Sequence, residues 1–329
     1  MAAGASSPTP LMPSATATPP TPPAPRSVPV SVLIPAKNEA SNIVECLASV
    51  AFASEVVVVD SQSSDGTIAM AEAHGARVVQ FHWDGKFPKK KNWALANVEW
   101  ANEWVLILDA DERIVPELAQ EIAEVIARTD ANAPVGYYLN RRFMFMGGWL
   151  RHCGYYPSWN LRLFRHRLGR YEKVAIQGEA RSGDNEVHEH VLMEGGEEGG
   201  RVGYLKADML HYAYPAIDIW VEKHNRYSNW EARAIRMLHS GANLQGTHLK
   251  ASLFGNALER KRWIRKVAMK LPFRPTLRFI YHYILKKGFL DGYRGYVFCR
   301  LLMWYEFLSI AKAHELKQAD AEKSGTSSK

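Results

Sequence analysis

With only three cysteines among 329 residues, and no Cys-x-x-Cys pair, the chain has no basis for a disulfide framework or a thiolate zinc site. Cys46, Cys153 and Cys299 are odd in number and far apart, which fits a reducing, cytosolic compartment; Cys46 falls in a helical pattern and reads as core. Nowhere do roughly 18 apolar residues run uninterrupted, so no membrane-spanning helix is expected. The nearest stretch, 297–311, is broken by Arg300 and Glu306. No Gly-x-Gly-x-x-Gly follows the first apolar strand, which argues against a nicotinamide enzyme. Nor is Ala36-Lys37-Asn38 the glycine-rich phosphate loop of a nucleotidyltransferase. Internal repeats are absent. Residues 1–27 lack charge except at Arg26 and are nearly all Ala, Pro, Ser and Thr. Such a segment cannot offset its ordering entropy, so it reads as a disordered tail. Without a basic start and an apolar run it does not read as a signal peptide.

Apolar residues make up 47% of the chain, enough for a proper core in the remaining residues. Their number suits one large domain with an appendage, or two small ones. The net charge is +7, unevenly spread: 250–300 is rich in Lys, Arg and aromatics, whereas 178–199 is acidic. A basic region implies an anionic partner, whether nucleic acid, anionic lipid or a phosphorylated substrate.

The first half alternates short apolar runs with helical patterns. Strands are expected at 28–35, 55–60, 76–81 and 103–109, with helices at 38–50, 65–74, 89–100 and 116–128. Pro116 occupies the favoured first turn of the last helix, with Leu118, Ile122, Val125 and Ile126 on one face. This rhythm predicts an α/β fold with a mostly parallel sheet covered on both faces. The second half is less regular. A strand at 135–142 and shorter ones to about 211 are expected, interrupted by a glycine-rich mobile loop at 194–203. From 217 onward the pattern turns helical. The mixture of aromatics with Lys and Arg at 273–295 suits a helix lying in a membrane interface, the alternative being a helical subdomain with an aromatic core.

Ligands of an open parallel sheet bind beyond the carboxyl ends of its strands. Three polar clusters fall at that edge, at 35–39, 60–67 and 109–112. Grouped acids repel one another unless a cation or ligand donors justify them. Asp109 and Asp111 flank an alanine directly after an apolar strand, and oxygen ligands of this kind suit Mg2+ or Mn2+ bridging to a diphosphate.

The motifs IPAKNE, VVVDSQSSDGT, KKNWAL and LDADER occur here in the order and spacing seen in family 2 glycosyltransferases of the GT-A fold. The resemblance spans 28 to about 126 and continues more loosely to about 211. WNLRLFR, VHEHV and LHYAYPAIDIWVEKHNRYS extend it toward bacterial transferases of lipopolysaccharide core and surface glycans. It implies a GT-A domain over 28–215, a basic-aromatic helical region over 216–315, and tails at 1–27 and 316–329.

The resemblance further implies an inverting transfer from a nucleotide-sugar, a UDP-sugar above others, to a glycan or glycolipid acceptor. Pro35, Ala36 and Glu39 would floor the base and ribose, and Asp60 would accept the imide N–H of uracil. Lys91 and Asn92 would contact the nucleotide sugar. Asp109 would touch ribose or donor sugar and share the metal, with Asp111 the principal ligand and His211 a further one. Glu189 is the expected base, with His188 the alternative, since the family more often has an acidic pair where this chain has His-Glu. Trp159, Asn160, Arg162 and Arg165 would wall the acceptor and diphosphate. Simpler roles compete: Asp60 or Asp65 as a helix cap, Arg162 and Arg165 as solvent-facing strand residues, His211 as a structural histidine. A peripheral position on the cytoplasmic membrane's inner face is expected. Acids at the sheet edge would repel phosphates without a metal, so nucleic acid is not an expected partner. The remaining alternatives are a polyprenyl-phosphate acceptor, a basic nucleic-acid binder or a non-catalytic scaffold.

Overall fold

The computed structural model of the chain describes residues 28–128, 130, 133–172, 190–193, 201–239 and 271–326. Its first strands are runs of β-branched and aliphatic residues, and they pair in parallel: β1 (Val28–Ala36) lies between β2 (Ala53–Asp60) and β4 (Trp104–Ile107), and β3 (Arg77–Gln80) flanks β2. Both faces are buried, which is why these strands carry no polar alternation. Val30, Val32 and Ile34 of β1 pack with Ile43 and Leu47 of α1 (Ile43–Ser49), Ala71 of α2 (Thr67–Ala73), and Leu118, Ile122 and Val125 of α4 (Pro116–Ile126). Leu33 faces the other way, joining Val57, Val59, Val105 and Ile107 under Ala94 and Leu95 of α3 (Lys90–Asn97).

Beyond β4 the sheet becomes mixed. β8 (Trp159–Arg165) runs antiparallel to β4 and to β6 (Gly136–Phe145), and β11 (Val202–His211) then pairs parallel with β6. The two-residue β5 (Glu112–Arg113) closes the edge against β11, giving the order β3-β2-β1-β4-β8-β6-β11-β5. Three short strands complete the set: β7 (Gly148–Trp149) on β6, and β9 (Gly169–Tyr171) paired with β10 (Val191–Met193). This is the doubly covered, mostly parallel sheet of the GT-A expectation. Most of the loop expected at 194–203 falls outside the described residues, and β11 begins within it at Val202.

The helical region docks on the far end of the sheet. Trp220 of α5 (Ile217–His239) is fully buried among Phe143, Phe145, Leu150, Phe298 and Leu302. The long α7 (Gly292–Thr326) runs along α5, and its Lys312 ammonium donates to the Asn225 carbonyl at 2.9 Å and to Asn229 at 2.6 Å. Cys153 and Cys299, far apart in sequence, meet here as free buried thiols with sulfurs 3.6 Å apart.

Two expectations need correction. The 273–295 stretch is not one helix: α6 (Arg274–Ile280) passes into a π-helical turn at Tyr281–Leu285 and a 3-10 turn at Gly288–Asp291. The breaks fall at Lys287 and Gly292, both at positive φ, which no continuing helix can adopt. The tail expected from 316 is instead helical to Thr326, since its Leu, Lys, Gln, Ala and Glu are strong helix formers. Among the described residues no helix is long and apolar enough to cross a membrane.

Candidate active site

The three polar clusters converge because their strands are neighbours. Ala36 lies opposite Asp60, and the Leu108 N–H donates to the Leu33 carbonyl at 3.0 Å, bringing the chain after β4 beside Pro35. The first two loops are laced together. The Asn38 N–H donates to Ser63 Oγ at 2.8 Å, and the Ser64 N–H returns to Asn38 Oδ1 at 2.8 Å. Asn38 is left-handed, a conformation asparagine tolerates. Asp65 accepts the Thr67 N–H at the start of α2 and the Ala40 N–H, so it anchors a turn as well as a helix start.

A cavity of about 820 Å³ opens at this edge, and Pro35, Glu39, Lys91, Asp109, Asp111, Arg162 and His211 all line it. Asp109 sits between two buried cations: Lys91 Nζ lies 2.8 Å from Oδ1 and Arg162 Nη2 lies 2.7 Å from Oδ2. The same Arg162 nitrogen is 3.0 Å from Glu112, which is completely buried and also receives Arg141 at 3.4 Å. Burial alone would raise the Asp109 pKa, but the charges of Arg162 and Lys91 and their hydrogen bonds hold it well below the usual carboxylate range. Burial would likewise lower Lys91, and Asp109 more than reverses it. Arg162 Nη1 is buried with no partner among the described residues, a donor left for something that enters the cavity. The solvent-facing alternative for Arg162 therefore fails. Arg165 does face outward, pairing with Glu103 at 3.1 Å over the Trp104 ring, and it is absent from the cavity.

His211 reaches the site through the smallest strand of the sheet. β5 pairs His211 with Glu112, and the Tyr212 N–H donates to the Asp111 carbonyl at 2.8 Å. This places His211 Nε2 3.6 Å from Asp111 Oδ1. Burial raises the Asp111 pKa, but its hydrogen bond with His211 and that ring's charge bring it below the ordinary value. Glu39 is shifted the other way, raised first by burial and then by Asp111, against the Asn42 amide hydrogen bond.

Mg2+ or Mn2+ is commonly held by one or two protein groups, with substrate phosphates and water completing the shell. Two ligands on one such ion stand at most about 4.2 Å apart, so the 3.6 Å between Asp111 and His211 fits. Asp109, expected as a second carboxylate ligand, instead spends both oxygens on Lys91 and Arg162. Among the described residues no three His, Cys, Asp or Glu side chains gather to hold a metal alone, so such an ion would need the diphosphate's oxygens as well.

Several expected residues serve the scaffold. Asp60 is fully buried and outside the cavity lining; its carboxylate accepts the Ser63 N–H at 2.8 Å and the Ser63 hydroxyl. Asn92 clamps β9, donating to the Tyr171 carbonyl at 2.8 Å and accepting its N–H at 2.9 Å. Ala36 is buried and offers its carbonyl to Lys90 at 2.8 Å. Trp159 and Asn160 do line the cavity, as do Glu172 and His190. Glu189 and His188 lie outside the described residues. Sequence reasoning missed Glu112 as a partner of Arg162, and Arg141 as the second cation on Glu112. It also missed Lys223 and Tyr227, which α5 brings to the cavity from the helical region.

Comparison with known proteins bears on this geometry. The family model described as Glycosyl transferase family 2 matches residues 31–183. A lipopolysaccharide core biosynthesis glycosyltransferase of Rhizobium meliloti (strain 1021) is 28% identical over 298 residues, covering 88% of this chain and 93% of that protein. An uncharacterized glycosyltransferase of Rickettsia typhi is 26% identical over 289 residues, 87% of each chain. Among solved structures, glucosyl-3-phosphoglycerate synthase from Mycobacterium tuberculosis overlaps 36% of this chain and less than half of its own, 44%, at 22% identity and a TM-score of 0.26. That overlap is too small to carry an argument about the site. Residues 31–183 are thus a family 2 glycosyltransferase domain, and the chain is a glycosyltransferase.

Proposed function

We propose that the chain is an inverting hexosyltransferase that moves a sugar from a nucleotide-sugar, a UDP-sugar above others, onto a membrane-linked glycan such as a lipopolysaccharide core. The observation that carries this reading is the Asp111–His211 pair at 3.6 Å beside an Asp109 locked by two cations, all in one cavity. Asp111 and His211 would hold a divalent cation together with the donor diphosphate. When bound, that ion offsets charge on the departing nucleoside diphosphate. Asp109 is held ionised and immobile by Lys91 and Arg162, and the second lone pair on each of its oxygens can accept from ribose or sugar hydroxyls, while the spare Arg162 nitrogen offers a donor to the same ligand. Pro35 and Glu39 line the nucleotide side.

Glu189 is the proposed base, with His188 the alternative. The chain beside it, at His190, lines the cavity, as does Glu172. In an inverting displacement the acceptor oxygen bonds to the anomeric carbon while that carbon's bond to the diphosphate oxygen breaks on the opposite face, the nucleoside diphosphate leaves with that oxygen, and the hydroxyl proton passes to the base. Trp159 offers an aromatic face to the acceptor's rings and is 40% exposed to receive one.

The name of the Rhizobium relative supports lipopolysaccharide core as the acceptor class. A position on the membrane's inner face is supported by a ridge of exposed apolar side chains from α6 to the start of α7. Phe273 is 81% exposed, Tyr293 73% and Leu285 68%, with Lys286 and Lys287 exposed among them. An apolar face flanked by cations suits an anionic lipid surface.

The test is nucleotide binding by calorimetry, with and without Mn2+, to wild type and Asp111→Ala. Tight, metal-dependent UDP binding that the substitution removes is expected. Absence of nucleotide binding with any divalent metal would refute the reading.

A further inference from the structure

Four cationic side chains line the cavity: Lys91, Arg141, Arg162 and Lys223. Three are committed to carboxylates. Lys91 is paired with Asp109, Arg162 with Asp109 and Glu112, and Arg141 with Glu112. Lys223 has no carboxylate partner among the described residues. Its ammonium stands over the Tyr214 ring, 5.6 Å from the centroid, and donates to the Ala213 carbonyl at 3.3 Å. A carbonyl and a ring face satisfy such a group only in part, since an ammonium carries three donors.

Its position is built rather than incidental. Trp220, one turn earlier on α5, is fully buried, and His224, the next residue, stacks on the Trp220 ring with centroids 3.5 Å apart. His224 stays neutral near pH 7, its pKa brought down by burial to about 4, and its ring bonds the Trp220 carbonyl at 2.8 Å. The helix is thus pinned on both sides of Lys223, one face in the core and the ammonium at the cavity. The Tyr214 ring beneath it packs on Phe143 with centroids 5.9 Å apart, as the His211 ring does at 5.7 Å, so Lys223 stands toward the His211 end of the cavity.

We propose that Lys223 grips the diphosphate of the nucleotide-sugar donor, so that the helical region outside the matched domain completes the donor site. The inference rests on the function proposed above. A strongly hydrated point charge with free donors suits phosphate oxygens, whereas the guanidinium charges beside it are already set against carboxylates. Held at the leaving group, the ammonium would stabilise the departing nucleoside diphosphate together with any bound cation. A plain counter-ion role for Asp111 is the competing account, and it makes a different prediction about which ligands are affected.

The experiment is calorimetric binding of UDP and of uridine, each with Mn2+, to wild type, Lys223→Met and Lys223→Arg, alongside urea unfolding of each. For Lys223→Met, UDP affinity is expected to fall about ten- to hundredfold, the range of a charge-assisted hydrogen bond, with uridine affinity and unfolding midpoint unchanged. Lys223→Arg is expected to keep most of the UDP affinity. Wild-type UDP affinity in Lys223→Met, or a parallel loss for UDP and uridine, would overturn the proposal and leave the transferase reading standing. Failure of wild type to bind UDP would overturn both.

Discussion

Arg162 stands between Asp109 and Glu112, so replacing it with methionine would leave the fully buried Glu112 with only Arg141, at 3.4 Å, and the half-buried Asp109 with only Lys91. Breaking a buried pair from one side costs about 3–5 kcal/mol, because the orphaned charge stays desolvated. Arg162→Met is therefore expected to lower the urea midpoint at pH 7 by an amount of that order, and to remove nucleotide binding. The sign of its pH dependence follows from Asp109, whose pKa is depressed in the folded chain. A depressed acid contributes stability that is present above its unfolded value of about 3.9 and lost as pH falls through the folded one. The gap between wild type and Arg162→Met should accordingly narrow below about pH 3.9. A gap that stays constant or widens there would show that Asp109 is not the group Arg162 stabilises.

Among the elements, the junction between the 3-10 turn and α7 tolerates least. A Cβ added at Gly295 would lie 2.0 Å from the Gly288 carbonyl oxygen and 2.9 Å from Asp291 Cβ. The obstacle is backbone, and it cannot swing aside. Asp291 is itself fixed, accepting the His152 N–H at 2.9 Å and contacting the His152 ring at 2.9 Å, so the turn is tied to the loop after β7. Gly295→Ala is expected to destabilise the protein by about 1–3 kcal/mol, read as a drop in urea midpoint. An unchanged midpoint would mean that α7 can shift off the turn without loss.

At the scale of the whole molecule, the exposed apolar ridge lies on the helical region, whereas the cavity lies at the sheet edge. The proposed membrane surface can be tested without reference to turnover. Replacing Phe273, Leu285 and Tyr293 together by serine removes apolar anchors contributing about 1–2 kcal/mol each on insertion. Sedimentation with anionic vesicles should fall at least about tenfold, and added salt should weaken wild-type binding through Lys286 and Lys287. Equal sedimentation of the variant and wild type would dismiss the ridge as the attachment surface. Domain independence is a related matter. Phe143, Phe145 and Leu150 of the sheet side pack directly on Trp220, Phe298 and Leu302, so the proposed boundary near 215 cuts through a shared core.

The alternation of β-branched runs with helical patterns was enough to determine the parallel half of the sheet, because strands buried on both faces must be apolar throughout and their helices must be amphipathic. For the same reason the acids ending β2 and β4 were legible as a sheet-edge cluster. What each acid does was not, since that depends on neighbours from distant segments. Asp60 turned into its own loop, Asn92 onto β9, and Asp109 onto Lys91 and Arg162. His211 reaches Asp111 only through the pairing of a two-residue strand, too short to show a period of its own. Lys223, one basic residue among many in a helical stretch, acquired a site only because Trp220 buries the opposite side of its helix. Local pattern reports which face of an element must be hidden, whereas the assembly of charges from separate elements is decided by how those hidden faces pack.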